Sequence, residues 1–417
     1  MGKIVVEGGR PLCGEVTVQG AKNSVLPILA ATVLCRDTCV IQKCPRLRDV
    51  ETTTAILRHL GCRVAWEGDD LVVDSRHLTR CDIPDALMRQ MRSSVIFLGA
   101  ILGRCGEAEL SFPGGCELGP RPIDLHLAAL CTLGAETREE NGRFFCRGET
   151  MRGAEIVLSL PSVGATENAM LAACTAEGTT TICNAAREPE IVDLQAFLRK
   201  MGADVWGAGS SAITVCGGRE LHGCTHRVIG DRIAAATYLS AAAGAGGDIC
   251  LKNVDYRHLS AVTTVLIRAG CRITCGDREM RAQSDGRLRA VPPIHTSPYP
   301  GFPTDAQAVV MAALCRSEGT TVFVENMFTN RYRHVPELQR MGAEIRTEGR
   351  VAVVCGRPRL CGAAVYAAEL RGGAALVTAA LQAEGCTTVE NVQYIQRGYS
   401  DLPGDLHALG AEIRLAE

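Results

Sequence analysis

One turn recurs six times along this chain. A Leu-x-x-Leu-Gly-Ala step, with Met or Ala replacing the second Leu and Cys replacing Ala in some copies, is followed by a short alternating strand. It occurs in "LRHLGCRVAW", "LCTLGAETRE", "LRKMGADVWG", "LIRAGCRITC", "LQRMGAEIRT" and "LHALGAEIRL". The glycines are Gly61, Gly134, Gly202, Gly270, Gly342 and Gly410, spaced 68 to 73 residues apart. Each is expected to end a helix in the left-handed conformation and to release the chain into a strand. A second signature falls midway, as in "AEGTTTICNA" (176–185), "SEGTTVFVEN" (317–326) and "AEGCTTVENV" (383–392). It reads as a turn into a β-rich strand, preceded by an apolar, Ala-rich helix such as "DAQAVVMAALC". Each unit thus holds about two helices and several strands, and the class is α/β or α+β, with helices packed on sheets.

Units of this size are too large for a solenoid. Three units per domain and two domains fit the 417 residues. Crossovers near residues 21 and 230 give one domain over 22–230 and a second over 1–21 with 231–417. The strand in "KIVVEGG" then closes the second domain. Two similar domains predict a cleft, where small-molecule sites tend to lie.

Composition removes several function classes. The net charge is −2 and no basic run occurs, so neither nucleic acid nor an anionic membrane is expected as a partner. No stretch approaches the length of a membrane span, and the opening apolar run is too short for a signal peptide. A soluble bacterial cytoplasmic protein is the expectation, with a monomer as the default state. The 21 cysteines are scattered, with no CxxC pair and no Cys/His cluster at zinc spacing. Cys62 and Cys271 stand where other copies of the turn have Ala, so most cysteines are expected to be small apolar core filler. No metal or cofactor is called for.

The stretch "FPGGCELGPRPIDLH" (112–126) is different. Gly114 and Gly115 permit backbone angles closed to other residues, and Pro113, Pro120 and Pro122 limit disorder. A mobile loop over 112–122, carrying the thiol of Cys116, is the expectation.

Six such units, with "GAKN" at 20–23 and "PGGC" at 113–116, resemble the enolpyruvyl transferases. "RPIDLH", "SVGATEN", "NAAREPEIVDL", "FPTDAQA", "NRYRHVPEL", "LRGGAAL" and "RGYSDL" match in the same order, so the resemblance covers essentially the whole chain. It implies an inside-out α/β barrel, two domains of three repeats, with the active site between them. The branch it most resembles moves the enolpyruvyl group of phosphoenolpyruvate to the 3′-hydroxyl of UDP-N-acetylglucosamine and releases phosphate, the first committed step of peptidoglycan synthesis. The related branch acting on shikimate 3-phosphate, and a non-catalytic nucleotide-sugar-binding paralogue, are the alternatives.

Phosphoenolpyruvate carries a phosphate and a carboxylate, so its site needs several cations. The matching positions are Lys22, Arg121, Arg331, Arg371 and Arg397. Arg offers flat two-pronged grips, and Lys22 is one of only 5 lysines beside 39 arginines. Addition followed by elimination needs one acid and one base. By resemblance Asp305 is the base, although a Pro-Thr-Asp step opening a helix reads locally as an N-cap. Cys116 is the acid by the same resemblance, and it is the residue that fosfomycin alkylates. Lys22 and Arg397 complete the catalytic set. For the nucleotide sugar the resemblance implies Asn23, Arg92, Arg121, Pro122, Ile123, Asp124, Leu125, Ser162, Val163, Gly164, Asp305 and Met327. "PSVGAT" places Gly164 before an Ala-rich helix, whose free N–H groups suit a diphosphate. Departures from the family pattern are Glu369, Ala234, Thr329 and Leu160.

Overall fold

The computed structural model describes residues 2–114 and 123–416. Cys116, Arg121 and Pro122, with the rest of 115–122, lie outside the described residues. The chain forms two compact units, one from residues 2–19 and 230–416 and the other from residues 20–114 and 123–229.

The six turn glycines all take positive φ: 104°, 96°, 99°, 121°, 90° and 87° in chain order. Each stands at the end of a helix or one residue past it. There a Cβ would meet the preceding carbonyl, which is why glycine recurs. The Ala-rich segments form the inner helices. In the 20–229 unit these are α1 (Lys22–Ala31), α2 (Phe97–Cys105) and α3 (Val163–Ala173). In the other unit they are α4 (Arg232–Ala245), α5 (Thr304–Leu314) and α6 (Leu370–Leu381). Helices α4, α5 and α6 pack on one another and are buried nearly all round. Small side chains make this possible, because they let helix backbones approach while leaving no polar face to hydrate.

Three sheets in each unit cover the inner helices. One sheet shows the repeated plan. Ile294–His295 runs parallel to Thr320–Val324, which pairs antiparallel with Val351–Cys355 and through it with Glu344–Glu348. The strands alternate buried and exposed residues, so one sheet face is wet and the other lies on the helices. In the sheet of Glu107–Ser111, Arg143–Arg147 and Glu136–Glu140, a single parallel bridge, Asp82 to Glu109, takes the place of the parallel strand. Lys3–Glu7 lies between Cys386–Glu390 and Glu412–Ala416, antiparallel to both, so the start of the chain completes the last sheet. Helices inside and sheets outside is the inside-out arrangement expected.

The cysteine expectation needs correction. All twenty described cysteines are free thiols, and eight are buried. Cys62 and Cys271 do pack as small apolar residues. Others, including Cys183, Cys216 and Cys355, occupy the outward phase of alternating strands and are partly exposed. Strand period, not hydrophobicity, decides their place.

Candidate functional site

A cluster of charged side chains in the 230–416 unit lies at the N-termini of α5 and α6. Asp305 is the second residue of α5, and the N-cap position belongs to Pro303, with no side-chain cap. The local N-cap reading therefore fails. Its carboxylate turns to two arginines instead. Arg331 Nη2 donates to Oδ1 at 2.8 Å, and Arg371 Nη2 donates to Oδ2 at 3.2 Å. Both arginine side chains are almost fully buried, while Asp305 keeps 28% exposure. Arg331 also donates through Nε and Nη2 to the carbonyl of Thr304, at 3.3 and 3.1 Å. That fixes the start of the helix and the side chain beside it together.

Arg371 opens α6. Glu369 caps this helix, accepting from the backbone N–H of Arg371 at 2.8 Å and from that of Gly372. Burial opposes the charge of Arg371, but the Asp305 carboxylate, with Tyr399 and Asp231, outweighs it and holds the guanidinium's pKa above its ordinary value. Its Nη1 is buried and, among the described residues, has no hydrogen-bond partner. A buried guanidinium donor without an acceptor is costly. An anionic ligand oxygen would supply that acceptor. The positive ends of the α5 and α6 dipoles favour the same charge. Arg397 ends a 3-10 turn, Ile395–Arg397, and is half-buried two residues before Tyr399. The Arg371 guanidinium carbon lies 5.8 Å from the Tyr399 ring centre.

Two residues here escaped sequence reasoning. Glu325, only 1% exposed, accepts four hydrogen bonds. They come from Thr296 Oγ1 at 3.0 Å, Thr304 Oγ1 at 2.9 Å, and the backbone N–H groups of Met327 and Phe328 at 2.8 and 3.1 Å. It ties the start of α5 to the turn that carries Met327. The available signal was a charged residue in the inward phase of "TVFVE". His334 is fully buried beside Arg331 and Glu369, and neither ring nitrogen has a hydrogen-bond partner among the described residues. Burial lowers its pKa to about 4, so it is neutral.

In the 20–229 unit, Lys22 is the first residue of α1. Its Nζ lies 2.7 Å from Asp49 Oδ2, and both side chains are nearly buried. Asn23 follows, half-buried. Arg92 begins the 3-10 turn Arg92–Ile96, directly ahead of α2. Ile123 is buried, while Asp124 is exposed and opens the helix Asp124–Thr132, with Leu125 packed on the core. Ser162 caps α3, its side chain accepting from Ala165 N at 3.4 Å; Val163 and Gly164 are the first helical residues. Leu160, just before, is 51% exposed.

Residues 6–406 match the EPSP synthase family, 3-phosphoshikimate 1-carboxyvinyltransferase. A UDP-N-acetylglucosamine 1-carboxyvinyltransferase of Caldanaerobacter subterraneus subsp. tengcongensis is 50% identical, over 99% of both chains. This chain belongs to the enolpyruvyl transferase family. A second UDP-N-acetylglucosamine 1-carboxyvinyltransferase, of Carboxydothermus hydrogenoformans, is 47% identical, covering 99% of this chain and 98% of that one. Among solved structures, the enolpyruvyl transferase NikO from Streptomyces tendae superposes with a TM-score of 0.89 at 26% identity, over 100% of this chain and 99% of the other. Membership accounts for the six-fold repeat, and the inside-out arrangement is that of an enolpyruvyl transferase. Of this transferase's departures, Glu369 is the cap of α6, Ala234 is buried in the first turn of α4, and Thr329 is exposed.

Proposed function

We propose that this enolpyruvyl transferase moves the enolpyruvyl group of phosphoenolpyruvate to the 3′-hydroxyl of UDP-N-acetylglucosamine, with release of phosphate, in peptidoglycan synthesis. The observation that carries the reading is the Asp305 carboxylate gripped by Arg331 and Arg371, with a buried guanidinium nitrogen of Arg371 left for an anion. Near-full-length relatives bearing the UDP-N-acetylglucosamine name favour that acceptor over shikimate 3-phosphate.

In this reading Lys22, Arg121, Arg331, Arg371 and Arg397 neutralise the phosphate and carboxylate of phosphoenolpyruvate. They come from both proposed domains, residues 22–230 and residues 1–21 with 231–417. Asn23, Arg92, Pro122 to Leu125, Ser162 to Gly164 and Met327 hold the nucleotide sugar. The methylene carbon of phosphoenolpyruvate accepts a proton from the Cys116 thiol, which makes the neighbouring carbon electrophilic. Asp305 takes the proton of the sugar hydroxyl as its oxygen bonds to that carbon. The tetrahedral adduct then returns a methyl proton to the Cys116 thiolate as its C–O bond to phosphate breaks, which restores both the double bond and the thiol. Neither step requires a redox partner.

Phosphate release from phosphoenolpyruvate tests the assignment. It should require UDP-N-acetylglucosamine, fail with shikimate 3-phosphate, and stop when fosfomycin alkylates Cys116 but continue in Cys116→Asp treated the same way. Release with shikimate 3-phosphate alone would reassign the branch. Tight binding of UDP-N-acetylglucosamine with no release under any condition would make the chain a nucleotide-sugar-binding paralogue.

A further inference from the structure

Asn168 is fully buried in α3, and its side-chain amide makes three hydrogen bonds, to Gly99, Val95 and His126. The backbone N–H of Gly99 donates to Oδ1 at 2.6 Å. An N–H can only donate, so this contact identifies the oxygen of the amide without ambiguity. A side chain at Gly99 would destroy the contact, because a Cβ there would lie 2.4 Å from the Asn168 carbonyl oxygen. Nδ2 therefore carries both amide hydrogens toward its two neighbours. One goes to the carbonyl of Val95 at 3.0 Å, and the other meets Nδ1 of His126 at 2.7 Å.

That last contact sets the state of His126. Facing a donor, Nδ1 must present its lone pair, so the ring is neutral and its hydrogen sits on Nε2. Burial first, and then the charge of Arg92, lower the His126 pKa to about 4, against a smaller opposing pull from Asp124. The Nε2 edge of the ring lies against the N-terminus of α3. A Cβ on Gly164 would fall 2.9 Å from Cε1 and 3.3 Å from Nε2. The imidazole is only 7% exposed, and its remaining donor meets the end of α3 where Ser162, Val163 and Gly164 begin the helix.

We infer that Asn168 is a positioning residue that holds His126 as a neutral, Nε2-protonated hydrogen-bond donor to an anionic oxygen of the nucleotide diphosphate at the N-terminus of α3. The ligand part rests on the proposed acceptor; the protonation part does not. A lysine or imidazolium there would be a charge that must be desolvated and, for imidazolium, one that titrates near neutrality. A neutral donor whose other nitrogen is locked by an amide has the same strength from mildly acidic to mildly basic pH. Leu160, with no charge to offer, leaves this end of the helix reliant on such donors.

Nitrogen-15 NMR of the full chain, labelled at its nine histidines, tests the protonation part directly. His126→Gln identifies the resonances. The expected spectrum has one pyridine-like and one pyrrole-like nitrogen, the latter Nε2, unchanged from about pH 5.5 to about pH 8. Titration of His126 near the ordinary value of about 6.5, or a hydrogen on Nδ1, overturns the inference. Asn168→Asp should draw a second proton onto the ring in the same range and make KM for UDP-N-acetylglucosamine depend on pH, where wild type is flat. Should that variant not fold, the wild-type spectrum still decides. For the ligand part, His126→Leu should raise KM for UDP-N-acetylglucosamine on the order of tenfold or more at unchanged kcat, while His126→Gln, which keeps a neutral donor, stays within about threefold. Equal losses in both variants would show that the ring is there for packing and would reject its role as donor.

Discussion

Removing the charge of Arg371 probes the proposed anion site most directly. In Arg371→Met the side chain keeps much of its apolar length, so the buried space stays filled and mainly the guanidinium is lost. Two consequences follow from its contacts. The Nη1 donor would make one charge-assisted bond to the ligand, and such bonds contribute about 1.5–3 kcal/mol. Each 1.4 kcal/mol is about tenfold in a binding or rate constant. This loss alone lowers kcat/KM for phosphoenolpyruvate by about ten- to hundredfold. The second consequence is at Asp305, which loses its 3.2 Å contact to Arg371 and retains the 2.8 Å contact to Arg331. Asp305 is 28% exposed and still holds Arg331, so solvent screens the loss of this one contact, which costs about 1 kcal/mol. Arg371→Lys should fall between, because an ammonium reaches either Asp305 or the ligand but cannot fork to both. Steady-state phosphate release with phosphoenolpyruvate varied, on protein with wild-type far-UV circular dichroism, measures the effect. A kcat/KM within about threefold of wild type in Arg371→Met would show that Nη1 faces no substrate anion, and the reading of this cluster would have to be abandoned.

Other outcomes follow from the same cluster. Asp305→Asn should lower kcat by about a hundredfold to ten-thousandfold, the usual range for a lost general base, while binding of UDP-N-acetylglucosamine by calorimetry stays within a few fold; an undiminished kcat assigns the base elsewhere. Glu325→Ala leaves two backbone N–H groups without their acceptor and should lower the unfolding free energy by about 2–5 kcal/mol. Glu325→Gln should be milder in urea melts, since its oxygen can serve both N–H groups while its amide meets Thr304 Oγ1. Equal destabilisation by the two would mean that the charge, not the clasp, matters. For His334 the folded pKa of about 4 lies below the unfolded value of about 6.5. The unfolded chain therefore takes up a proton first as pH falls. Stability attributable to this residue is complete above about pH 6.5 and drops toward pH 4, by about 3 kcal/mol at most. Urea midpoints of wild type and His334→Leu should differ in their slope with pH across that window, and parallel slopes would refute the assignment.

Much of the fold could be read locally because its cause is local. A glycine past a helix end takes positive φ whatever lies around it, so Gly61 and its five counterparts marked the repeat without any knowledge of packing. The Ala-rich helices and the strands after them could be read the same way, whereas the inside-out arrangement was implied only by the family resemblance. The candidate site was less legible. Asp305 read as a cap because nothing within a few residues says otherwise; its partners stand 26 and 66 residues away. Asp49, which holds Lys22, gave no pattern of its own. Glu325 and His334 are charged or titratable types in buried places, and composition assigns such types to the surface. The cysteines erred in the opposite direction, since strand phase sent many of them outward.

Sequence by itself therefore determined the repeat, the helix ends, the strand alternation and the family, because each depends on spacing along the chain or on residues taken in order. Tertiary structure alone decided which charges meet. It also decided which nitrogen of His126 carries a hydrogen, since that follows from Gly99 and Asn168 arriving at one point from separate helices. A hydrogen bond acts only across about 3 Å, and chain order carries no measure of that distance until the fold has closed it.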